Sequence, residues 1–578
     1  MDYFYLYYGL AFIITWFFSY LYKGYDYWSK QGIQGPTPIP FFGNLLHLLV
    51  TPQPLQEINW FNKYGKIYGH FIGKTPILNV CEPSVIKSIL VKDFHLFSDR
   101  YHIRDASDQI ASKTLFHMNG DAWRRVRAIT SPTFSSGKMR KMYPLIRECL
   151  ADMLTQLDIY ATSGKVCDVK DMYENYTMDV IATCAFATKT NVYKSQDLNP
   201  FVVNARKAFN GIHVADFATL IPAFVKRLLR VTITGKIGFF FETTRHILAI
   251  RRDHPSDKHN DFIQLMMEAM LTDKVTRDEQ DTNEAHYVNE GAEELEVERK
   301  ALTRDDPKSG AKQLTENEIV AQAFMFFLAG YETSATTLSF CTYELVRSPG
   351  IQQRLHDEVV AAFDSNGEIE YDVLARLPYL DAVVSETLRM HSPAQRMPRI
   401  CSVDYTLGDT GVKVAAGQNI DIPIYAIHHC EEFYPEPFKF DPDRFMPENR
   451  HKVLPYTYLP FGAGPRNCIG MRFSLLEIKL GLAHMIKNYR FSICPETDVP
   501  VQYKRMLRIG APKRMNVRVE KRVTTIDQHT GASYKCSMLT GQVHYGIGHV
   551  RWFTDTTNRV LPRQTLLKCL EFVPGHIT

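Results

Sequence analysis

The 578-residue sequence predicts a large, mainly α-helical chain, and three stretches carry that prediction. Thr315-x-x-Glu318 is a capping box opening a helical run from Glu316 to about Arg347. Its first half, Ile319 to Ala329, is apolar almost all round and must cross the interior. Met471 to Asn488, nearly free of Gly and Pro, predicts a second long helix. Tyr3 to Tyr22 carries no charge and has the length, about 20 residues, that a bilayer-spanning helix requires.

Composition narrows the classes. A hydrophobic fraction of 45% against 22% charged residues indicates a globular chain with one large catalytic domain and additions. A net charge of +4 leaves no basic footprint, so no nucleic-acid partner is expected. The 11 cysteines are scattered and odd in number, which points to a reducing compartment rather than a disulfide framework.

Taken in order, residues 1–22 read as a transmembrane anchor. Lys23 and Lys30 follow it and only Asp2 precedes it, placing the remainder in the cytosol. A cleaved signal peptide fits less well, for want of a basic n-region and a small-residue cleavage site. Residues 23–44 form a basic, proline-rich hinge in which Gly35 to Pro40 is a stiff extended spacer. Residues 45–520 are the expected catalytic domain. Within it, residues 211–241 mix apolar residues with Lys226, Arg227 and Arg230, which suits either a core helix or an interfacial segment. Residues 276–312 are acidic and poor in large apolar residues, a solvated insertion. Residues 521–578 show no clear periodicity and read as a C-terminal extension without a part in catalysis.

The chemistry concentrates in Phe461-Gly462-Ala463-Gly464-Pro465-Arg466-Asn467-Cys468-Ile469-Gly470. Two glycines and a proline force a tight loop, and Cys468 stands at the start of the 471–488 helix. Free N–H groups and the dipole there favour a thiolate, a soft ligand for iron. The small residues at 462–464 would let a flat cofactor approach the backbone. As a bare pattern, a lone cysteine after such a turn is more often a buried small hydrophobe. Zinc is a poor rival, since no second Cys or His lies nearby in sequence.

Three further patterns accompany the loop. Trp123 and Arg127 lie four apart on one helical face. Ala329-Gly330-Tyr331-Glu332-Thr333 puts an acid and an alcohol into an apolar helix, a costly placement, with Thr333 able to bond back to a carbonyl one turn earlier. Glu386 and Arg389 are a helical pair three apart, a common motif worth only ~0.2–0.5 kcal/mol on a surface.

Together these resemble the cytochrome P-450 superfamily. The loop fills every fixed position of Phe-x-x-Gly-x-Arg-x-Cys-x-Gly, and the other motifs follow in family order from about Gly32 to Glu520. Ser131 to Lys138 and Met178-Asp179-Val180-Ile181 are similar to the microsomal clan 3, the 3A-like and insect xenobiotic-metabolising type. The resemblance implies a haem-thiolate fold, mainly α with a small β region, and haem b with Cys468 as the iron ligand. It implies cofactor contacts from Trp123, Arg127, Arg399, Phe461, Arg466 and Gly470, and proton delivery by Glu332 and Thr333. Met325, Leu328, Ala329, Ala394, Gln395, Met506 and Leu507 would line the substrate pocket. Glu386, Arg389 and Arg444 would form a structural ion-pair network, with Asp443 standing for the family's more usual Glu. Arg396, beside that pocket, either turns outward or biases the enzyme toward acidic substrates.

The activity implied is monooxygenation of a lipophilic small molecule (xenobiotic, steroid or fatty acid) at the endoplasmic reticulum membrane. Electrons would come from NADPH through a separate reductase, with cytochrome b5 a second candidate donor, because the chain lacks a Gly-rich dinucleotide loop. Arg472 and Lys479 are candidate docking residues. Two rivals stay open: an O2-independent isomerase or dehydratase on this fold, which should not need Glu332 and Thr333, and a non-catalytic haem-binding sensor.

Overall fold

The computed structural model describes Tyr7 and residues 22–100, 110–190, 192–193, 199–207, 238–254, 261–271, 313–504 and 510–522. The chain divides into two compact units, Met1–Glu520 and Lys521–Thr578, and all described residues but the last two lie in the first. Most of the expected anchor and of the 211–241 stretch, all of the 276–312 insertion, Met506, Leu507 and nearly all of the tail lie outside the described residues. Among those described, no helix is long and apolar enough to cross a membrane.

The longer helices are α1 (Gln53–Tyr64), α2 (Gly120–Thr130), α3 (Ser136–Ser163), α4 (Val169–Phe186), α5 (Gly238–Asp253), α6 (Phe262–Leu271), α7 (Glu316–Arg347), α8 (Pro349–Ala362), α9 (Pro378–Met390) and α10 (Met471–Asn488). The strands are β1 (Ile67–Ile72), β2 (Thr75–Val80), β3 (Cys167–Asp168), β4 (Arg396–Ile400), β5 (Tyr405–Thr406), β6 (Lys413–Val414), β7 (Asn419–Pro423), β8 (Tyr489–Ser492) and β9 (Asn516–Lys521). The main sheet runs β1-β2-β7-β4, with β2 and β7 parallel and the other pairs antiparallel. The mainly helical reading with a small β part holds.

α7 begins where its capping box predicts. The Thr315 hydroxyl accepts from the Glu318 amide at 3.3 Å, and the Glu318 carboxylate accepts from the Thr315 amide at 2.8 Å. The helix then crosses the larger core against α4, α9 and α10. Of the 211–241 stretch, the described end is core: Phe240 and Phe241 are buried at the start of α5, with the Phe240 ring 4.2 Å from that of Phe327.

A buried chain of polar contacts ties α9 to the cysteine loop. Glu386 takes Arg389 Nε and Nη2 at 2.7 and 2.8 Å, and both side chains are fully buried. Arg389 Nη1 donates to the His428 carbonyl at 2.7 Å. His428 Nδ1 in turn donates to the Arg389 carbonyl at 2.9 Å, while its Nε2 accepts from the Leu459 amide at 2.8 Å, two residues before Phe461. That pattern requires a neutral imidazole. Burial, reinforced by the Arg389 charge, pushes the His428 pKa down to about 3 and so supplies one. Arg444 Nε stands 3.5 Å from Glu386, and its Nη2 donates to the Pro435 carbonyl at 2.6 Å. Asp443 turns to the surface and pairs with Arg354 at 2.8 Å.

Removing one partner of such a pair strands a buried charge. Arg389→Met should therefore lose about 3–5 kcal/mol of stability, read as the denaturant midpoint of the full chain; an unchanged midpoint contradicts this assignment.

Candidate functional site

The loop before α10 needs glycine at two positions. Gly462 and Gly464 have φ of +74° and +75°, where L side chains are strained. A Cβ at 464 would stand 1.8 Å from the Leu90 carbonyl oxygen, and one at 462 would stand 2.9 Å from Met397 Sδ. On the side a Cβ would occupy, both glycines therefore face protein atoms. The Cys468 amide donates to the Phe461 carbonyl at 2.9 Å, closing the loop two residues before Gly470, the N-cap of α10.

Cys468 is solvent-exposed although protein atoms surround it at depth, and burial pushes its pKa up. The Gly470 amide, Arg127 and Arg100 oppose that rise without cancelling it. The helix start thus pulls toward the thiolate, as the sequence reading expects, while burial pulls further the other way. A soft metal must supply the remainder by displacing the proton.

Around the loop stand Arg127, Arg399 and Arg466. Arg127 donates to the Asn467 carbonyl at 3.0 Å and to Asn467 Oδ1 at 2.8 Å. Arg466 donates to the Ser98 and Met118 carbonyls and to Asn119 Oδ1 at 3.2 Å, and its guanidinium lies 4.8 Å from the Trp123 ring centroid. Arg399 Nη1 donates to the Pro398 carbonyl at 2.8 Å. Among the described residues none of the three has a carboxylate partner within 4 Å, and Arg399 Nε, Arg399 Nη2 and Arg466 Nε are buried without a hydrogen-bond partner. Burial pushes Arg127 down to about 10 and, with the charges of Arg100 and Arg399, Arg466 to about 8; Arg399 falls well below its ordinary value. Desolvated cations with orphaned donors form a site for anionic oxygen.

One face of α7 completes the arrangement. Nearly all of the helix is buried, yet Met325, Leu328, Ala329 and Thr333 are half-buried, a partly exposed strip at helical spacing, while the half-buried Gly330 packs toward Ile181. Ser334 and Ser474 hydroxyls, 3.2 Å apart, join α7 to the helix that carries Cys468 at its start. Thr333 Oγ1 donates back to the Ala329 carbonyl at 2.6 Å. Glu332 leaves the strip: its carboxylate is buried 3.0 Å from Lys170 Nζ, which also stands 3.1 Å from Glu174. Burial would raise Glu174, but Lys170, Lys504 and Arg206 pull it down to about 2.

The cytochrome P450 family profile matches residues 33–517. The chain belongs to the cytochrome P450 family. It is 34% identical to cytochrome P450 3A11 of Mus musculus over 90% of this chain and 97% of that protein. It is also 34% identical to cytochrome P450 6k1 of Blattella germanica (84% and 91%) and to cytochrome P450 3A29 of Sus scrofa (84% and 90%). These relatives bear out the 3A-like reading, and the chain is a P450 monooxygenase whose cofactor is haem. The residues fit that group: an accessible thiol for the iron and buried guanidiniums without anions for two propionates.

The remaining positions divide. Ala394 is exposed, whereas Gln395 is buried and offers a pocket no surface. Arg396 takes neither expected course, turning into the sheet domain instead. Lys479 is buried 2.6 Å from Asp381, which corrects its expected docking role. Sequence reasoning missed Lys170, although Lys170 and Glu174 lie four apart on α4 and could have signalled a pair. It also missed Glu477 on α10, whose two carboxylate oxygens are buried without partners. Burial pushes Glu477 up to about 8, and the nearby Ser334 hydroxyl offsets this only in part.

The folded protein thus holds a Glu477 proton that the unfolded chain releases near its ordinary pKa of 4.5. Between about 4.5 and about 8 this residue makes stability fall as pH rises. Glu477→Gln should flatten that slope and raise the melting temperature most at pH 8; parallel pH profiles would contradict it.

Proposed function

We propose that this chain is a membrane-anchored monooxygenase that inserts one oxygen atom of O2 into a lipophilic small molecule, a xenobiotic, steroid or fatty acid. Electrons come from NADPH through a separate flavoprotein reductase, with cytochrome b5 as a further donor. The observation that carries the substrate class is the partly exposed strip of α7: Met325, Leu328 and Ala329 are apolar, and Thr333 is its one polar side chain. Such a surface binds hydrocarbon and offers a charged ligand nothing.

Haem b, held by Cys468 through its iron and by Arg399 and Arg466 through its propionates, supplies the oxygen chemistry when bound. The protein's part is orientation, exclusion of water and proton supply. Phe461 and Gly470 flank the iron ligand, and Trp123 braces Arg466 from below while Arg127 holds Asn467. Thr333 donates its hydroxyl hydrogen to Ala329 and keeps its lone pairs, so it can hold a water at the partly exposed strip. Glu332 belongs to a charge cluster reaching Lys504 and Arg206, both about one-third exposed, a route for protons from the surface. Residues 1–22 would anchor the chain at the endoplasmic reticulum, with the catalytic domain in the cytosol. Arg472 remains a candidate for reductase docking.

The test is reconstitution of the purified protein with an NADPH-dependent reductase and a panel of lipophilic compounds, followed by product analysis. Hydroxylated products with matching NADPH consumption support the reading. Ferric iron that stays unreduced would favour a sensor, and rearranged products without O2 uptake an isomerase. In the same assay Thr333→Ala should keep haem content and substrate-binding spectra. It should lose most of its product per NADPH, since a positioned proton-transfer group contributes on the order of 100-fold or more to the rate of its step; unchanged coupling contradicts the role.

A further inference from the structure

The buried charges behind β4 have no part in the chemistry above. β4 is the edge strand of the main sheet, five residues long, paired through β7, and interrupted by Pro398, which has no N–H to give. Backbone pairing alone holds such a strand weakly. Yet one side of it must be held accurately, for Met397 abuts Gly462 and Arg399 stands among the loop arginines. Alternation sends Arg396 to the other side.

There Arg396 Nε bonds the Glu57 carboxylate of α1, and Nη1 lies 3.2 Å from Asp421 Oδ2 on β7 and 3.2 Å from His70 Nε2 on β1. Gln53 also donates to Glu57, at 2.6 Å, and Asn79 Nδ2 lies 2.7 Å from His70 Nδ1. All the charged members are buried. One guanidinium thus fastens the start of β4 to a helix and to two other strands. Glu57 Oε2, Asp421 Oδ1 and Arg396 Nη2 have no hydrogen-bond partner among the described residues.

We infer that Arg396, with Glu57 and Asp421, is a positioning element for cofactor retention: it pins the edge strand whose opposite side presents Met397 and Arg399 to the cysteine loop. This rests on the haem reading above. The arginine does not touch the cofactor and acts through Arg399.

The test compares transfer of haem from the full-length holoprotein to excess apomyoglobin with global unfolding by circular dichroism. Arg396→Met should speed haem transfer about 10-fold, the lower end of what lost supporting contacts cost a metal site, and Arg396→Lys should restore part of the loss. The triple variant Arg396→Met, Glu57→Gln, Asp421→Asn removes every buried charge of the node; it should recover the unfolding midpoint but not slow haem transfer. A wild-type transfer rate in Arg396→Met, or recovery of both quantities in the triple variant, overturns the inference. If Arg396→Met does not fold, Glu57→Gln, which keeps the Asp421 contact, is the test and should give a smaller acceleration; none at all overturns it. A wild-type protein that binds no haem would overturn the haem reading itself, a result distinct from these.

Discussion

Two guanidinium groups buried without carboxylates, with a third half-buried beside them, are the constraint on which the rest of this structure depends. Arg127, Arg399 and Arg466 surround the cysteine loop, and their pKa values are driven down because little nearby favours their charge. A buried, uncompensated cation is among the most unfavourable features a fold can keep. Two of them side by side, Arg399 and Arg466, make sense when a dianion belongs there. Cys468 makes the same statement from the other side, since its thiol is held above its ordinary pKa at a point where a metal could displace the proton. The protein alone is electrostatically incomplete, and haem has the two carboxylates and the thiophilic metal that complete it.

The remainder of the fold keeps those groups in place by rigid contacts of several kinds. The carbonyl of Leu90 admits only glycine at 464. The Glu386–Arg389 pair reaches the loop through a histidine whose neutrality is enforced by burial next to an arginine. The dry interior matters here: in water these contacts would be weak and exchangeable, whereas at full burial each has one arrangement. Glu332 shows the same logic on the distal side, fixed by Lys170 while Thr333, one residue on, keeps to the partly exposed strip.

Much of this was legible in the sequence because it is local. The capping box at Thr315, the helix after Gly470 and the cysteine loop each declare themselves within about ten residues, and the family resemblance supplied the iron ligand. The corrections arise where distant segments meet. Neither Glu57, 339 positions from Arg396, nor Asp381, 98 from Lys479, carries any local sign of its partner. The same holds for the Leu90 carbonyl against Gly464. Ala394 and Gln395 precede β4, and their difference in burial is set by the segments packed around them, which the local sequence does not name. Glu477 reads as an ordinary polar position on a long helix until α7 is packed against it.

The central claim, that Cys468 binds haem iron as a thiolate, is tested most directly by reducing the purified protein under carbon monoxide and recording its absorption spectrum. The account predicts the strongly red-shifted Soret band of a thiolate-ligated carbonyl complex, lost in Cys468→His. A Soret band at the position of imidazole-ligated haem in the unaltered protein, or no haem absorption at all, would contradict it.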